Sequence, residues 1–130
     1  MLKLIMCLKR LPQLTRQEFD HHWRNIHAPL VTSYAELLGI RKYVQTRPFG
    51  DEAAQRALEK VRGTVAVNFD GCAELWWDSM EAHLAARKTT EGLQALAALI
   101  EDEKRFVDLS ASQLWYGEER QIISVSGHTE

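Results

Sequence analysis

Cysteine is scarce in this sequence: Cys7 and Cys72 are the only two, and they lie far apart. Metal and redox motifs hold their cysteines a few residues apart, so this spacing favours two free thiols in a reducing cytoplasm. Long apolar runs are also missing, and none approaches the ~20 residues that a membrane-spanning helix needs. The apolar residues 1–10 lack the small-residue cleavage site of a signal peptide. We therefore expect a cytoplasmic protein that has no membrane segment.

Excess charge and the common cofactor motifs are missing as well. The formal net charge is -2, and no basic cluster alternates with aromatic residues, so we expect no nucleic-acid partner. The absence of a glycine-rich phosphate loop and of an H-E-x-x-H motif argues against a nucleotide cofactor and against a metal site. The 130 residues, 45% of them hydrophobic, suffice for one domain with a real core. We expect that domain to span residues 1–125, followed by a flexible tail over residues 126–130.

One long helix, predicted from Thr15 to Leu38, organises the sequence. Thr15 and Glu18 form a T-x-x-E capping box, which is typical of a helix start. Pro29 lies inside this helix, where it has no backbone N–H to donate and should cause a bend. Apolar residues recur at helical spacing and predict a buried face. They are Phe19, Trp23, Ile26, Leu30, Tyr34 and Leu37.

Short apolar or alternating runs predict the strands. These runs are Leu2–Lys9, Arg41–Arg47, Gly71–Trp77 and Ser112–Tyr116, and Gln121–Val125 could add a short extra strand. Residues 48–70 are expected to form a long surface excursion that contains a short helix at 51–61.

A second helical region comes after the third strand. Asp78 or Ser79 caps its first helix, whose apolar side includes Met80 and Leu84. Residues 89–92 interrupt it, and the charges of residues 101–105 are expected to be solvated. The residues expected to be buried in its second piece are Leu93, Leu96, Ala97 and Ile100.

This order of elements predicts an α+β, ferredoxin-like βαββαβ fold, in which helices cover one face of a four-stranded antiparallel sheet. The strands look apolar on both faces, although the helices can cover only one of them. A second copy of the same sheet is the simplest cover for the other face. We therefore expect a homodimer that pairs through the sheets.

His27 is the most suggestive candidate for chemistry, because it is a titratable ring beside the aromatic stripe of the long helix. It is either a core histidine with a satisfied hydrogen bond or a general acid or base in a pocket between helix and sheet. Glu74 is the only charge in its apolar strand, so it is either paired or functional. Strand parity turns Leu75 toward the helices and Glu74 away from them, which argues against a His27–Glu74 pair.

Other aromatic and polar residues would line such a pocket, although core packing explains most of them equally well. Tyr43 is a further hydrogen-bond donor of this kind. His21 and His22 are expected on the solvated side of the long helix. The candidates for ligand contact are Trp23, Tyr34, Glu74, Trp76, His83 and Phe106.

Four pieces of sequence, spanning nearly the whole chain, together resemble the EthD-domain family of the dimeric α/β-barrel group. The first piece is the L-T-R-Q-E-F…H-W-R…H-A-P-L-V segment of residues 14–31. The others are residues 41–45, residues 69–71 running into 73–79, and Glu101–Asp102–Glu103 with residues 106–108.

The resemblance implies a ferredoxin-like protomer whose sheet packs against its mate in a closed barrel. It also implies small, cofactor-independent chemistry, since some members are decarboxylases or cyclases of polyketide-type aromatics and relatives include muconolactone isomerases. The name-giving members are accessory proteins of ether-degrading systems. The helix histidine of methylmuconolactone isomerases falls on His27. Their Gly-Glu-Cys-Trp-Phe run is similar to residues 73–77 here, but Leu75 replaces the cysteine, which argues against thiol-assisted lactone chemistry.

Two hypotheses of function remain open, with a weaker third. The first is a lyase or isomerase without a cofactor, in which His27 transfers a proton on a small apolar or aromatic carbonyl-bearing substrate by decarboxylation, dehydration with cyclisation, or isomerisation. The second is a non-catalytic module that binds a small molecule in an oxidative degradation system. The third is a haem-dependent oxidoreductase, because some barrel relatives bind haem beside a helix histidine.

Overall fold

The computed structural model describes residues 1–125 and contains one antiparallel sheet. Its strands are β1 (Leu2–Leu8), β2 (Lys42–Thr46), β3 (Gly71–Trp77) and β4 (Gln113–Glu118), in the spatial order β2-β3-β1-β4. This order is the ferredoxin-like arrangement, so the predicted α+β fold is confirmed. The tail predicted at residues 126–130 lies outside the described residues.

Five α-helices lie between these strands along the described chain. They are α1 (Arg16–His22), α2 (Ala28–Leu38), α3 (Glu52–Arg62), α4 (Met80–Ala85) and α5 (Thr90–Glu103). A π-helical turn over Trp23–His27 joins α1 to α2, and 3₁₀ turns lie at Ala86–Lys88 and Leu109–Ala111. Within residues 1–125, no helix is both long and apolar enough to cross a bilayer.

The long predicted helix begins at its capping box and then changes pitch. The Glu18 N–H donates to Thr15 Oγ1 at 3.1 Å, and the Thr15 N–H donates to Glu18 Oε1 at 2.9 Å. The irregularity expected at Pro29 takes the form of the π-helical turn, in which the Ala28 N–H donates to the Trp23 carbonyl five residues back. Pro29 then lies in the first turn of α2, where a missing N–H costs little.

The π-helical turn also moves the buried face of this segment. It holds more residues in a turn than an α-helix does, so the residues after it are rotated relative to an uninterrupted helical pattern. Ile26 and Leu37, both predicted to be buried, are 49% and 46% exposed, whereas Val31 and Leu38 are buried. The uniform 3.6-residue period used for the prediction is wrong here for this reason.

The second helical region differs from its prediction in the same way. In α5 the buried positions are Gly92, Ala95, Leu99 and Asp102, while Leu93, Ala97 and Ile100 are exposed. In α4, His83 is the buried residue, and Met80 and Leu84 are only partly covered. A Cβ at Gly92 would lie 1.8 Å from the Ala86 carbonyl oxygen, so this glycine lets the start of α5 pack closely and helps to set which side faces inward.

The connections outside the core are simple. The Asp51 side chain accepts from the Ala54 N–H and begins α3, and Gly63 ends it at φ 67°. No residue of α3 is buried, which agrees with the predicted surface excursion. Residues 121–125 form no strand, so the extra strand suggested there is wrong.

Alternate residues of the strands point to two different faces of the sheet. We call the face under the helices the helix face; its central residues are Leu4, Met6, Tyr43, Ala73, Leu75, Trp77 and Tyr116. We call the other the open face; its central residues are Lys3, Ile5, Cys7, Val44, Cys72, Glu74, Trp76 and Trp115. The prediction that Leu75, and not Glu74, faces the helices is confirmed by this register.

Candidate active site

A cavity of about 270 Å³ lies between the helix face of the sheet and the helices. Most of its wall is aliphatic or aromatic, contributed by β1, β3, α2 and α5. The ionisable or phenolic groups in the wall are His27, Tyr43, His83, Arg87 and Glu103. A largely apolar wall with a few converging polar groups is the usual form of a small-molecule site.

His27 is held by a carboxylate that the folded chain brings from far along the sequence. Its Nδ1 lies 2.8 Å from Oδ2 of Asp102, which stands near the end of α5. The two residues are only 6% and 3% exposed. Phe106 packs against the imidazole with its ring centroid 5.1 Å away, which limits rotation of the ring.

Asp102 is the centre of a small polar network. His22 Nε2 lies 3.0 Å from Asp102 Oδ1, and Arg105 Nη1 donates to the same oxygen at 3.2 Å. Burial by itself would raise the pKa of Asp102, but the hydrogen bonds from His27, His22 and Arg105 outweigh it and hold the pKa below 3.8. Asp102 is therefore an ionised, buried carboxylate. His22 is part of this network, so its predicted position on the solvated side is wrong.

The ionised carboxylate determines which nitrogen of His27 carries the proton. A carboxylate only accepts hydrogen bonds, so Nδ1 must be the protonated nitrogen and Nε2 keeps its lone pair. Burial lowers the pKa of His27 below 6.5, against the opposing influence of Asp102. At neutral pH the ring is therefore a neutral base, held in one tautomer.

The Glu103 side chain lies near Nε2 of His27, the nitrogen that carries the lone pair. Its Oε2 is 4.0 Å from Nε2 of His27, and its side chain is 15% exposed. Burial raises the pKa of Glu103 to about 7, and the nearby charge of Asp102 adds to the effect. Near neutral pH this carboxyl is partly protonated and can donate a proton.

A tyrosine completes this end of the cavity. Gln45 Nε2 donates to the Tyr43 hydroxyl oxygen at 2.8 Å and to the Trp23 carbonyl at 3.0 Å. Burial raises the pKa of Tyr43 further above 10, and the charge of Glu103 acts in the same direction. The phenol is therefore neutral, and its own proton remains available to a ligand oxygen.

The opposite end of the cavity contains a second histidine. His83 packs edge-on against Trp77, with ring centroids 4.2 Å apart, and its Nε2 lies 2.9 Å from the Tyr116 hydroxyl. Its Nδ1 is buried without a hydrogen-bond partner among residues 1–125. Burial lowers the pKa of His83, and the charge of Arg87 lowers it further.

The sequence-predicted ligand residues divide between the two faces. Trp23, His83 and Phe106 line the cavity together with His27. Tyr34 is half-buried against the core and is absent from the cavity wall. Glu74 and Trp76 lie on the open face. The expected place of Trp76 in the pocket wall is therefore wrong, and Glu74 is separated from His27 as strand parity predicts.

Glu74 and Trp76 have other partners on the open face. Glu74 forms an ion pair with Lys3, and the Trp76 indole donates to Glu119. Lys3 and Lys42 each place an ammonium group 4.9 Å from the Trp76 ring centroid. The lone carboxylate of β3 is thus paired, which was one of the two possibilities expected for it.

Sequence reasoning missed Asp102 and Glu103, because the run of charges around them was interpreted as a solvated face. Helical spacing carried the signal: Asp102 follows the buried Leu99 by three residues and precedes Phe106 by four. A carboxylate at that spacing lies on the same side as two core residues. Within residues 1–125 no group of three or more ligating side chains is placed to hold a metal ion.

Comparison with known proteins places these observations in context. A family model for the EthD domain matches residues 11–110. A solved structure of an ethyl tert-butyl ether d (EthD) family protein from Bacillus halodurans has a TM-score of 0.62 and 29% identity, covering 92% of this chain and 99% of that chain. No curated protein matches the sequence.

Two more distant structures share the fold alone. HapK from Hahella chejuensis has a TM-score of 0.61 at 12% identity, covering 98% of this chain and all of its own. SnoaB, a cofactor-independent oxygenase from Streptomyces nogalater, has a TM-score of 0.53 at 12% identity, covering 92% and 93%. At such low sequence identities, a shared fold does not indicate a shared reaction.

Proposed function

The chain belongs to the EthD family, and from that premise we propose that it is a small cofactor-independent enzyme in which His27 transfers a proton on a small apolar or aromatic carbonyl-bearing substrate. One observation carries the proposal. The lone pair of His27 faces a carboxyl group whose pKa is raised to about 7, inside a mainly apolar cavity. A base and an acid that are both poised near neutral pH are what proton transfer requires.

In the proposed step, Nε2 of His27 removes a proton from the carbon next to the substrate carbonyl. The C–H electron pair moves into the new carbon–carbon double bond, and the carbonyl oxygen takes the proton of Glu103. The products are an enol, an imidazolium ion and a carboxylate. Asp102, 2.8 Å from Nδ1, stabilises the imidazolium. In a substrate with a further carbon–carbon double bond conjugated to the enol, the imidazolium returns the proton to the far carbon and Glu103 recovers the enol proton, which completes an isomerisation.

Tyr43 and the cavity wall support the same chemistry. The phenol can donate a hydrogen bond to the oxygen on which negative charge develops, and such a donor acts more strongly where water is excluded. Decarboxylation and dehydration with ring closure pass through similar enol or enolate species. The reaction class is therefore lyase or isomerase, and the pocket fits one small apolar body.

The pH dependence expected for this step depends on the two shifted groups. The reactive form has neutral His27 and protonated Glu103. Activity should fall below the lowered pKa of His27, which is under 6.5, and above the pKa of Glu103 at about 7. Because the two groups are close, the measured values belong to the pair.

Deuterium exchange tests the proposal without knowledge of the natural substrate. The probe is 2-tetralone, an apolar aromatic ketone with acidic protons next to its carbonyl, dissolved in D₂O with the protein and followed by NMR. Wild-type protein should accelerate exchange, and His27→Gln should reduce the acceleration by roughly 10²–10⁴-fold. His21→Gln is the matched control, since His21 is exposed and absent from the cavity wall. Equal exchange by the wild type and His27→Gln would contradict the proposal.

The two alternatives have distinguishable outcomes. A non-catalytic binding module would be stabilised thermally by 2-tetralone without accelerating its exchange. Haem ligation by His27 is less favoured, because the Glu103 carboxyl lies only 4.0 Å from Nε2 and crowds the nitrogen that would bind iron. A Soret band after haem addition to the purified protein, lost in His27→Gln, would favour haem.

We also propose that the protein is a cytoplasmic homodimer that pairs through the open face. Trp115 is 52% exposed there, and Ile5, Cys7 and Val44 are only half-covered. A second open face would bury this apolar surface about a two-fold axis. Sedimentation at micromolar concentration should report a dimer, and Trp115→Glu should shift it toward monomer by at least about tenfold in Kd. A monomeric wild type would contradict the pairing.

A further inference from the structure

The cavity contains one group that the proposed proton transfer does not use. Arg87 lines the cavity wall at the end that contains His83, and within the described chain it is the only permanently charged side chain in that wall. It is exposed, and among residues 1–125 no ion pair joins it to a carboxylate. A guanidinium group at the mouth of an apolar pocket, with no acidic partner there, is available to a ligand.

The positions of the two ends separate this cation from the proposed chemistry. Trp23 packs over Gly71 at the start of β3, since a Cβ at Gly71 would lie 2.5 Å from its ring. His83 packs against Trp77 at the end of that strand. The full length of β3 separates these two positions. His27 lies only one helical turn from Trp23, which leaves the two ends of the cavity on the order of 10 Å apart.

We propose that Arg87 binds an anionic group of the ligand, such as a carboxylate, at the end of the cavity remote from His27. The preferred ligand is then amphipathic: an apolar body lies against Leu75 and Leu99, its anionic group pairs with Arg87, and its reactive end reaches His27. The inference rests on the cavity being the ligand site proposed above, and it makes Arg87 a residue that determines specificity.

The remaining groups around Arg87 agree with an anionic ligand. His83 lines the same end of the cavity, and burial together with the charge of Arg87 lowers the pKa of that ring, which leaves it neutral at pH 7. Tyr116 shares a hydrogen bond with His83 and contributes no charge. Glu103, the only carboxyl that residues 1–125 contribute to the cavity wall, lies at the other end, 4.0 Å from His27.

Two fluorescent probes with the same apolar body test the inference. 1-Anilinonaphthalene-8-sulfonate is anionic, and N-phenyl-1-naphthylamine lacks the sulfonate. Wild-type protein should bind the anionic probe more tightly. Arg87→Ala should raise the Kd of the anionic probe by about 5- to 10-fold and change that of the neutral probe by less than about twofold. Arg87→Lys should give an intermediate value.

Lys88→Ala is the matched control, because it removes an equal charge from the adjacent residue, which does not line the cavity. Equal weakening of both probes by Arg87→Ala, an equal effect of Lys88→Ala, or no binding of either probe would overturn the inference. Probe binding requires no turnover, and 2-tetralone has no anionic group for Arg87 to bind. Loss of the proposed catalysis and loss of anion recognition are therefore separate results.

Discussion

The two faces of the sheet hold their acidic residues under opposite conditions. On the open face, Glu74 forms an ion pair with Lys3, and both side chains are partly exposed. On the helix side of the sheet, Asp102 and Glu103 lie at the end of α5, where one carboxylate is fixed by three hydrogen-bonding side chains and its neighbour is largely enclosed. The enclosed Glu103 is the carboxyl group that we propose takes part in proton transfer.

The carboxyl groups on the two sides differ in their charged partners and in how deeply they are buried. A carboxylate beside an ammonium group has an opposite charge that favours its ionised form. A carboxyl enclosed by apolar groups is easier to protonate, because the charged form loses its hydration. The end of α5 holds both an ionised and a protonatable carboxyl at adjacent positions, whereas the carboxylate of β3 on the open face is paired with an ammonium group.

The largest expected difference between the faces is in stability. Asp102→Asn should lower the free energy of unfolding at pH 7 by about 2–4 kcal/mol, because His27, His22 and Arg105 lose a buried charged acceptor. Glu74→Gln should cost less than about 1 kcal/mol. Urea unfolding measures both. Since the folded pKa of Asp102 is lowered, the difference between wild type and Asp102→Asn should shrink as pH falls through that pKa, below 3.8.

Equal losses of unfolding free energy in Asp102→Asn and Glu74→Gln would contradict the expected difference between the two faces. A loss in Asp102→Asn that stays constant down to acidic pH would show that the amide disturbs packing rather than charge. Circular dichroism of each variant before unfolding controls for a change of fold.

The next effect concerns Glu103 and has the opposite sign. Its folded pKa of about 7 exceeds the usual 4.5, so the folded state is penalised as pH rises from 4.5 through 7. Glu103→Gln should therefore raise the free energy of unfolding by about 2–3 kcal/mol at pH 8 and leave it almost unchanged at pH 4. A pH series of urea unfolding curves gives the result, and a gain that is independent of pH would exclude this explanation.

The smallest expected effect comes from two glycine-to-alanine substitutions, one on each face of the sheet. A Cβ on Gly71 would lie 2.5 Å from the buried Trp23 ring, so Gly71→Ala should cost about 1–2 kcal/mol of stability. A Cβ on Gly117 would make only ordinary contacts of 3.4 Å with Trp115 and 3.5 Å with Ile5. Gly117→Ala should therefore change stability by less than about 0.5 kcal/mol. Thermal unfolding of both variants checks this, and equal costs would argue against tight packing at Trp23.

Local sequence signals were sufficient for most of the fold. The capping box at Thr15, the alternation in β3 and the turn residues predicted the elements and their order. Helical faces were less predictable, because the π-helical turn at Trp23–His27 rotates α2 relative to α1 and the close packing at Gly92 helps to set the inner side of α5.

Only part of the site could be predicted from the sequence, because the rest depends on how distant segments pack together. His27, Trp23, His83 and Phe106 stood out by residue type and helical spacing. Asp102 lies 75 residues from His27 in sequence, so their contact depends on how α5 packs against the π-helical turn. The raised pKa of Glu103 depends on its surroundings and cannot be inferred from the letters E-D-E alone.

We propose that a base and an acid face each other in the cavity near neutral pH, and NMR tests this pairing without any substrate. The side-chain carboxyl carbon of Glu103 should be followed from pH 3 to 9 in ¹³C-labelled protein, with Glu103→Gln to identify its signal. We expect a midpoint at about 7. A midpoint near the usual 4.5 would contradict the proposed acid and, with it, the proton transfer between His27 and Glu103.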